Sequence, residues 1–199
     1  MGRNRTFDTK EAVRAARSIF WENGFEGASL PDLERATGLN RSSLYHAFGS
    51  KRGLFDAAVD SYLDEVIRPR LRVLTEAPVP PDAVRTYLTG MKAALLARAS
   101  AASENGCLMV NTAASPIAKD ESVRERVAAY RAEIAAAIES GLAHQPGFEP
   151  SRIVPTAMAV TSLVVAAMTL TRIDRAAAAE TIDAALAITG GEAVKPPAR

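Results

Sequence analysis

Between Asn23 and Ser50 the chain is punctuated too densely for a long element to form. Asn23-Gly24, Ser29, the run Gly38-Leu39-Asn40 and Gly49-Ser50 leave two segments of eight residues, LPDLERAT and RSSLYHAF. Each opens behind a residue that caps helices, because Ser and Asn side chains accept from the unpaired amides of a first turn. Ser29, with Asp32 three residues on, starts a helix over 30–37 that turns Leu33 and Ala36 inward. Gly38 supplies the positive φ of a tight turn. Asn40 then caps a helix over 41–48 that buries Leu44 and Phe48, and Ser50 caps a fourth from Lys51 to about Leu71. A longer helix precedes them. Asp8 and Glu11 have capping-box spacing, Val13, Ala16, Ile19 and Phe20 recur at helical spacing, and Asn23-Gly24 stops it.

The rest of the chain is also helical. Aromatics are only 6% of residues and β-branched runs are scarce, which favours helix over sheet. APVPPD, residues 77–82, is a proline-rich joint that no helix crosses. Helices are predicted over 82–101, 107–115, 121–144, 151–171 and 175–189, separated by Gly106, Pro116, the HQPGFEP loop and Ile173-Asp174. The tail GGEAVKPPAR reads as a frayed end. The expectation is an all-α chain of about nine helices. Residues 1–50 form a three-helix helix-turn-helix domain, and residues 51–199 form a helical ligand-binding and dimerisation domain.

Several function classes fall away. The single cysteine, Cys107, rules out an internal disulfide framework, and His46 and His144 have no partners at metal spacing. There is no G-x-S-x-G, no P-loop and no paired-carboxylate signature, so no enzyme, metal or cofactor is expected. The N-terminus lacks a signal-type apolar core. MGRNRT formally fits a myristoylation pattern, but nothing nearby adds a second anchor. Ile153–Thr171 is uncharged over a membrane-spanning length. Pro155, Ser162, four threonines and a composition of mostly Ala and Val instead suit a helix covered by a core and a subunit interface. A cytoplasmic protein with no membrane partner is the expectation.

Charge distribution and motif then agree on DNA. Residues 1–55 carry nine Lys/Arg against six Asp/Glu, while the remainder carries 15 against 17. Two short helices about a glycine turn make a helix-turn-helix, whose second helix fits the major groove. The polar residues of 41–48 lie opposite Leu44 and Phe48. Arg41 can bond the O6 and N7 of guanine. Ser42 and Ser43 can bond bases or phosphates, Tyr45 offers a hydroxyl and a ring, and His46 serves either purpose. The start of this helix offers free amides and partial positive charge to a phosphate. Lys51 and Ser29 stand at helix starts where phosphates pass. Arg3 and Arg5, in an N-terminal arm, suit phosphate or the minor groove. The rival class is a helical dimerisation protein that binds no DNA; the absence of salt-sensitive duplex binding would mark it.

The run Thr9–Lys51, T-x-E-A-x-x-A-A-x-x-x-F-x-x-x-G-F-x-G-x-S-L-x-D-L-x-x-A-T-G-L-N-R-S-S-L-Y-H-A-F-G-S-K, resembles the DNA-binding region of TetR-type transcriptional regulators. The resemblance rests on Gly24-Phe25-x-Gly27, Ala36–Leu39, Leu44-Tyr45-x-x-Phe48 and Lys51-x-x-Leu54. The chain departs from the family's pattern at Leu30 and Pro31, and Pro31 removes one amide from the second helix. The resemblance implies a homodimeric repressor that reads a palindromic operator and is released by a small effector. It implies a four-helix dimer interface from the last two helices, through Ala157, Ala159, Val160, Val164, Ala166, Ala167, Met168, Ala178, Ile182, Ala185 and Leu186. It also implies a mostly apolar effector site among the middle helices, near Tyr62, Tyr87, Met91, Cys107, Met109, Asn111, Tyr130 and Met158. Some relatives with a similar G-C-L-x-x-N-T segment sense oxidants or electrophiles, which makes a thiol sensor at Cys107 the alternative within the fold.

Overall fold

The computed structural model describes residues 8–98 and 100–190. Among these residues there is no strand. The helices are α1 (Thr9–Gly27), α2 (Leu30–Thr37), α3 (Arg41–Phe48), α4 (Lys51–Tyr62), α5 (Arg68–Thr75), α6 (Ala83–Leu96), α7 (Ala101–Asn105), α8 (Leu108–Ala113), α9 (Glu121–Ala143), α10 (Pro150–Leu170) and α11 (Arg175–Thr189). A π turn over Leu63–Ile67 joins α4 to α5 as one continuous helix. With that run taken as one and the five-residue α7 taken as a turn, there are nine helices among the described residues. The all-α expectation holds. The helix predicted over 82–101 does not run through: it ends at Leu96, where Ala97 turns extended. Ser100 and Ser103 then cap each other's backbone amides and start α7.

The chain packs as two compact units, and neither is a continuous stretch. One runs up to residue 69 and includes 107–127; the other comprises 70–106 and 128 onward. The first unit therefore extends past residue 50, because α8 and the 3₁₀ turn Pro116–Lys119 fold back on α1.

In the first unit, aromatic rings set the core. Phe20 and Phe25 each lie near Phe55, with ring centroids 5.2 Å apart in both pairs. Trp21 meets Tyr62 edge-on at 4.8 Å. Gly24, at φ +71°, breaks α1 and lets Phe25 turn back toward Phe20. Asp8, Ser29, Asn40 and Ser50 all cap helices as their sequence positions predict. Leu33 and Leu44 are buried and Phe48 is half-buried, but Ala36 is exposed, since an eight-residue helix with one covered side has room for one inward row.

The second unit is built differently. Helix α11 lies between α6 and α10 and packs on both. Leu88, Leu95, Val160, Val164 and Ile182 fill its core, and Ala157, Ala167, Ala178 and Ala185 have no exposed surface. This corrects the interface expected from the sequence. Ala157, Val160, Val164, Ala167, Ala178, Ile182 and Ala185 are buried within one chain, so none offers surface to a partner, while Met168 and Leu186 are half-buried. The uncovered side of α10 carries Val154 and Met158, each 55% exposed, with Ser162 and with Ala159 and Ala166, the two small residues of the expected interface that do stand exposed. The amphipathic signal is weak because α10 is apolar around nearly its whole circumference.

Candidate nucleic-acid interface

Helix α3 is placed by three contacts. Leu44 anchors it in the core of the first unit. Asn40 accepts from the Ser43 amide at 2.9 Å, fixing the first turn. Gly38, at φ +68°, sets its angle to α2. A fourth constraint sits at its far end. A Cβ built on Gly53 would lie 2.0 Å from the Phe48 carbonyl oxygen, so only glycine lets α4 start so close behind α3. Gly53 was not singled out in the sequence, where it reads as one unremarkable residue of a helix.

With Leu44 turned inward, Arg41, Ser42, Tyr45 and His46 are exposed and Ser43 is half-buried. The Arg41 guanidinium lies 5.4 Å from the centroid of the Tyr45 ring, one helical turn on, so the two form a stacked cationic pair. Lys51 lies beside them in sequence but is half-buried, with its Nζ 4.7 Å from the Phe25 ring centroid. Burial lowers its pKa, and the nearby Glu26 carboxylate acts the other way. Ser29 is less available than its position suggested. Its hydroxyl donates to Asp32 and accepts from the Asp32 amide, and Arg35 bonds the same carboxylate at 2.9 Å. Those two bonds, Ser29 first, hold Asp32 below the usual carboxylate range. Arg3 and Arg5 lie outside the described residues.

Two of the first three amides of α3 are not free, contrary to the sequence-based expectation. Glu34 of α2 accepts from the Arg41 amide, and Asn40 accepts from Ser43. Nothing in the sequence marks Glu34, which lies seven residues before its donor across the turn. Behind the interface, Arg52 bonds Asp56 at 3.0 Å, Asp120 at 3.0 Å and Ser122 at 2.6 Å. It thereby ties the start of α4 to the segment that opens α9.

The expected effector residues divide between the units. Tyr62, Cys107 and Met109 are buried in the first unit, and Asn111 is half-buried there. Tyr87, Met91, Tyr130 and Met158 belong to the second. Tyr87 and Met91, with Arg70, Val73, Thr86 and Gly90, line a cleft of about 250 Å³. Tyr130 is buried, and Met158 stands on the uncovered face of α10 rather than in that cleft.

Known proteins share this arrangement. The sequence profile of "Bacterial regulatory proteins, tetR family" matches residues 12–58, which span most of α1 through α4. The transcriptional repressor ComR of Escherichia coli K12 is 33% identical over 122 residues, 60% of this chain and 57% of that protein. The regulator YezE of Bacillus subtilis 168 is 50% identical over 64 residues, 32% of this chain and 33% of that protein. The matches thus span from about a third to just over half the length of these curated relatives. A cysteine-substituted form of the TetR family transcriptional regulator CifR, solved with 26-bp double-strand operator DNA, is 29% identical with a TM-score of 0.77. The match covers 93% of this chain and 98% of that one. The capped helix-turn-helix, the profile that falls on it and the shared fold lead to one conclusion: residues 12–58 are a DNA-binding region of the TetR family's kind, on a chain with the fold of TetR-family transcriptional regulators.

Proposed function

We propose that the protein is a cytoplasmic transcriptional repressor that binds a palindromic operator as a homodimer and releases it when a small, mostly apolar effector binds. The exposed Arg41–Tyr45 pair on α3, anchored from behind by Leu44, carries the reading. Residues 1–50 contact double-stranded DNA through Arg41, Ser42, Ser43, Tyr45 and His46. Lys51 adds a charge at the α4 start, and Arg3 and Arg5 add charge from the N-terminal arm. Residues 51–199 bind the effector and pair two copies. ComR is named a repressor and CifR was solved on operator DNA, which supports the repressor reading.

Val154 and Met158 support the homodimer, since an apolar helix face of that exposure is covered in a stable assembly. The cleft beside Tyr87 and Met91 is the candidate effector site in the second unit. A ligand there lowers operator affinity only by its differential affinity for the two forms. The thiol alternative rests on Cys107, which is 1% exposed at the start of α8. A Cys107→Ser variant with an intact effector response removes it.

Fluorescence anisotropy on DNA flanking the protein's own gene, at two salt concentrations and followed by footprinting, tests the main reading. A protected near-palindrome is expected. Arg41→Ala should weaken binding about 10- to 100-fold, the size of one lost bidentate base contact, with thermal stability unchanged because Arg41 is exposed. A duplex that binds the variant as tightly as the wild type overturns the role of Arg41. Absence of salt-sensitive binding overturns the regulator.

A further inference from the structure

The Glu34 carboxylate accepts a hydrogen bond from the Arg41 amide at the first residue of α3. Helix α3 has no acidic residue in its own first turn, so Glu34 supplies from α2 the negative charge that a helix N-terminus favours. Together with Asn40 it takes two of the first three amides of α3. Among the described residues no Lys or Arg side chain forms an ion pair with Glu34. Its neighbour Asp32 is different, because Arg35 neutralises it at 2.9 Å. A half-buried carboxylate without a cationic partner among the described residues therefore occupies the spot where a DNA phosphate would otherwise meet the helix start.

We propose that Glu34 is a specificity-determining residue that suppresses sequence-independent DNA binding by closing the start of α3 to phosphate. The proposal rests on the DNA-binding reading above. Affinity for any duplex comes mainly from phosphate contacts, whereas discrimination comes from base contacts. A fixed anion at the end of the reading helix opposes the first and leaves the second to Arg41 and Tyr45. It also holds the first turn of α3 at a set angle to α2, so the charge and the positioning act through the same bond.

Two substitutions separate these effects. Glu34→Gln keeps an oxygen that can accept from the Arg41 amide and removes the charge, whereas Glu34→Ala removes both. The readout is anisotropy on a random-sequence duplex and on the footprinted operator fragment, each across a salt series. Glu34→Gln should bind the random duplex about five-fold more tightly at low salt, the order of one relieved charge repulsion. The gain should shrink as salt shortens the Debye length, and the operator-to-random affinity ratio should fall. Glu34→Ala should show the same gain on random DNA and additionally lose operator affinity. Unchanged or weaker random-duplex binding by Glu34→Gln overturns the proposal, as does a salt-independent gain. A wild-type protein that binds no duplex in a salt-sensitive way overturns the DNA-binding reading and the proposal with it; failure of the proposal alone appears only in the variants.

Discussion

The two units hold themselves together by different means. In the first, a few large rings and a set of directional caps fix each short helix: Phe20, Phe55, Trp21 and Tyr62 inside, the half-buried Phe25 beside them, and Ser29, Asn40 and Ser50 at the helix starts. In the second, long helices meet along a seam of fully covered alanines, Ala157, Ala167, Ala178 and Ala185, together with Leu88, Leu95 and Ile182. A surface that reads DNA needs side chains held at fixed positions, and stiff rings with capped ends hold them. Helices that meet through small side chains approach closely, so that added bulk between them is felt at once. The first unit is thus held by rings and caps and the second by close helix packing.

The comparison breaks if the ring cluster proves dispensable. Phe55→Ala removes a 1% exposed ring with two aromatic neighbours at 5.2 Å. It should cost about 3–5 kcal/mol in urea denaturation and abolish operator binding. A loss below about 1 kcal/mol would show that the rings do not hold the unit. Gly53→Ala tests the junction rather than the core. Its Cβ would fall 2.0 Å from the Phe48 carbonyl, a backbone atom that cannot rotate away. Destabilisation of roughly 1–3 kcal/mol is expected from such crowding, with a loss of operator affinity out of proportion to it, because α3 must shift. Operator affinity equal to wild type would show that the junction tolerates the shift.

The seam should respond in the opposite way. Ala178→Leu adds bulk to a fully buried position between packed helices and should cost about 1–3 kcal/mol. Its effect should appear in effector response more than in operator affinity, since the first unit's caps and rings are untouched. Met158→Glu should leave folding stability within about 0.5 kcal/mol, as for other exposed positions, yet convert a dimer to a monomer by sedimentation. A dimer that survives it would place the homodimer contact elsewhere than the uncovered side of α10.

How much was legible in the sequence follows the same division. In the first unit, caps and turn glycines are local signals, so Asp8, Ser29, Asn40, Ser50, Gly24 and Gly38 all stand where their residue types predict. What escaped there were contacts across the turn and the junction. The Glu34 bond to Arg41 and the closeness of Gly53 to Phe48 depend on the angle between helices, which no local spacing encodes. In the second unit, helix bounds were nearly right, with α11 over 175–189 as predicted, but the side of each helix was not readable. When a helix is apolar around its circumference, periodicity cannot separate the side that meets α11 from the side that meets solvent. That is why residues expected at a subunit interface lie inside one chain. The effector residues dispersed for a related reason: all but Asn111 are of types that also fill cores, and Tyr62 and Met109 serve as ordinary core.

The smallest expected effect concerns the clasp behind α3. Arg52 bonds Asp120, and with Ser122 and the Val123 amide it holds the Asp120 carboxyl well below the usual carboxylate range. A carboxylate whose folded pKa is lowered stabilises the fold at pH above its unfolded value, near 3.9, and that contribution disappears as pH falls from there toward the folded value. Asp120 is exposed enough, at 45% of its side chain, for water and salt to screen most of the attraction. The urea midpoints of wild type and Asp120→Asn should therefore differ slightly and by a constant amount at neutral pH. They should draw together progressively below about pH 4, as the carboxyl takes up its proton in the unfolded chain while the folded one still holds its charge, and added salt should narrow the neutral gap. A gap of equal size at pH 7 and pH 3 would mean that Asp120 acts through its hydrogen bonds alone. The first unit would then owe nothing to charge at this joint, and its rigidity would come from rings and caps.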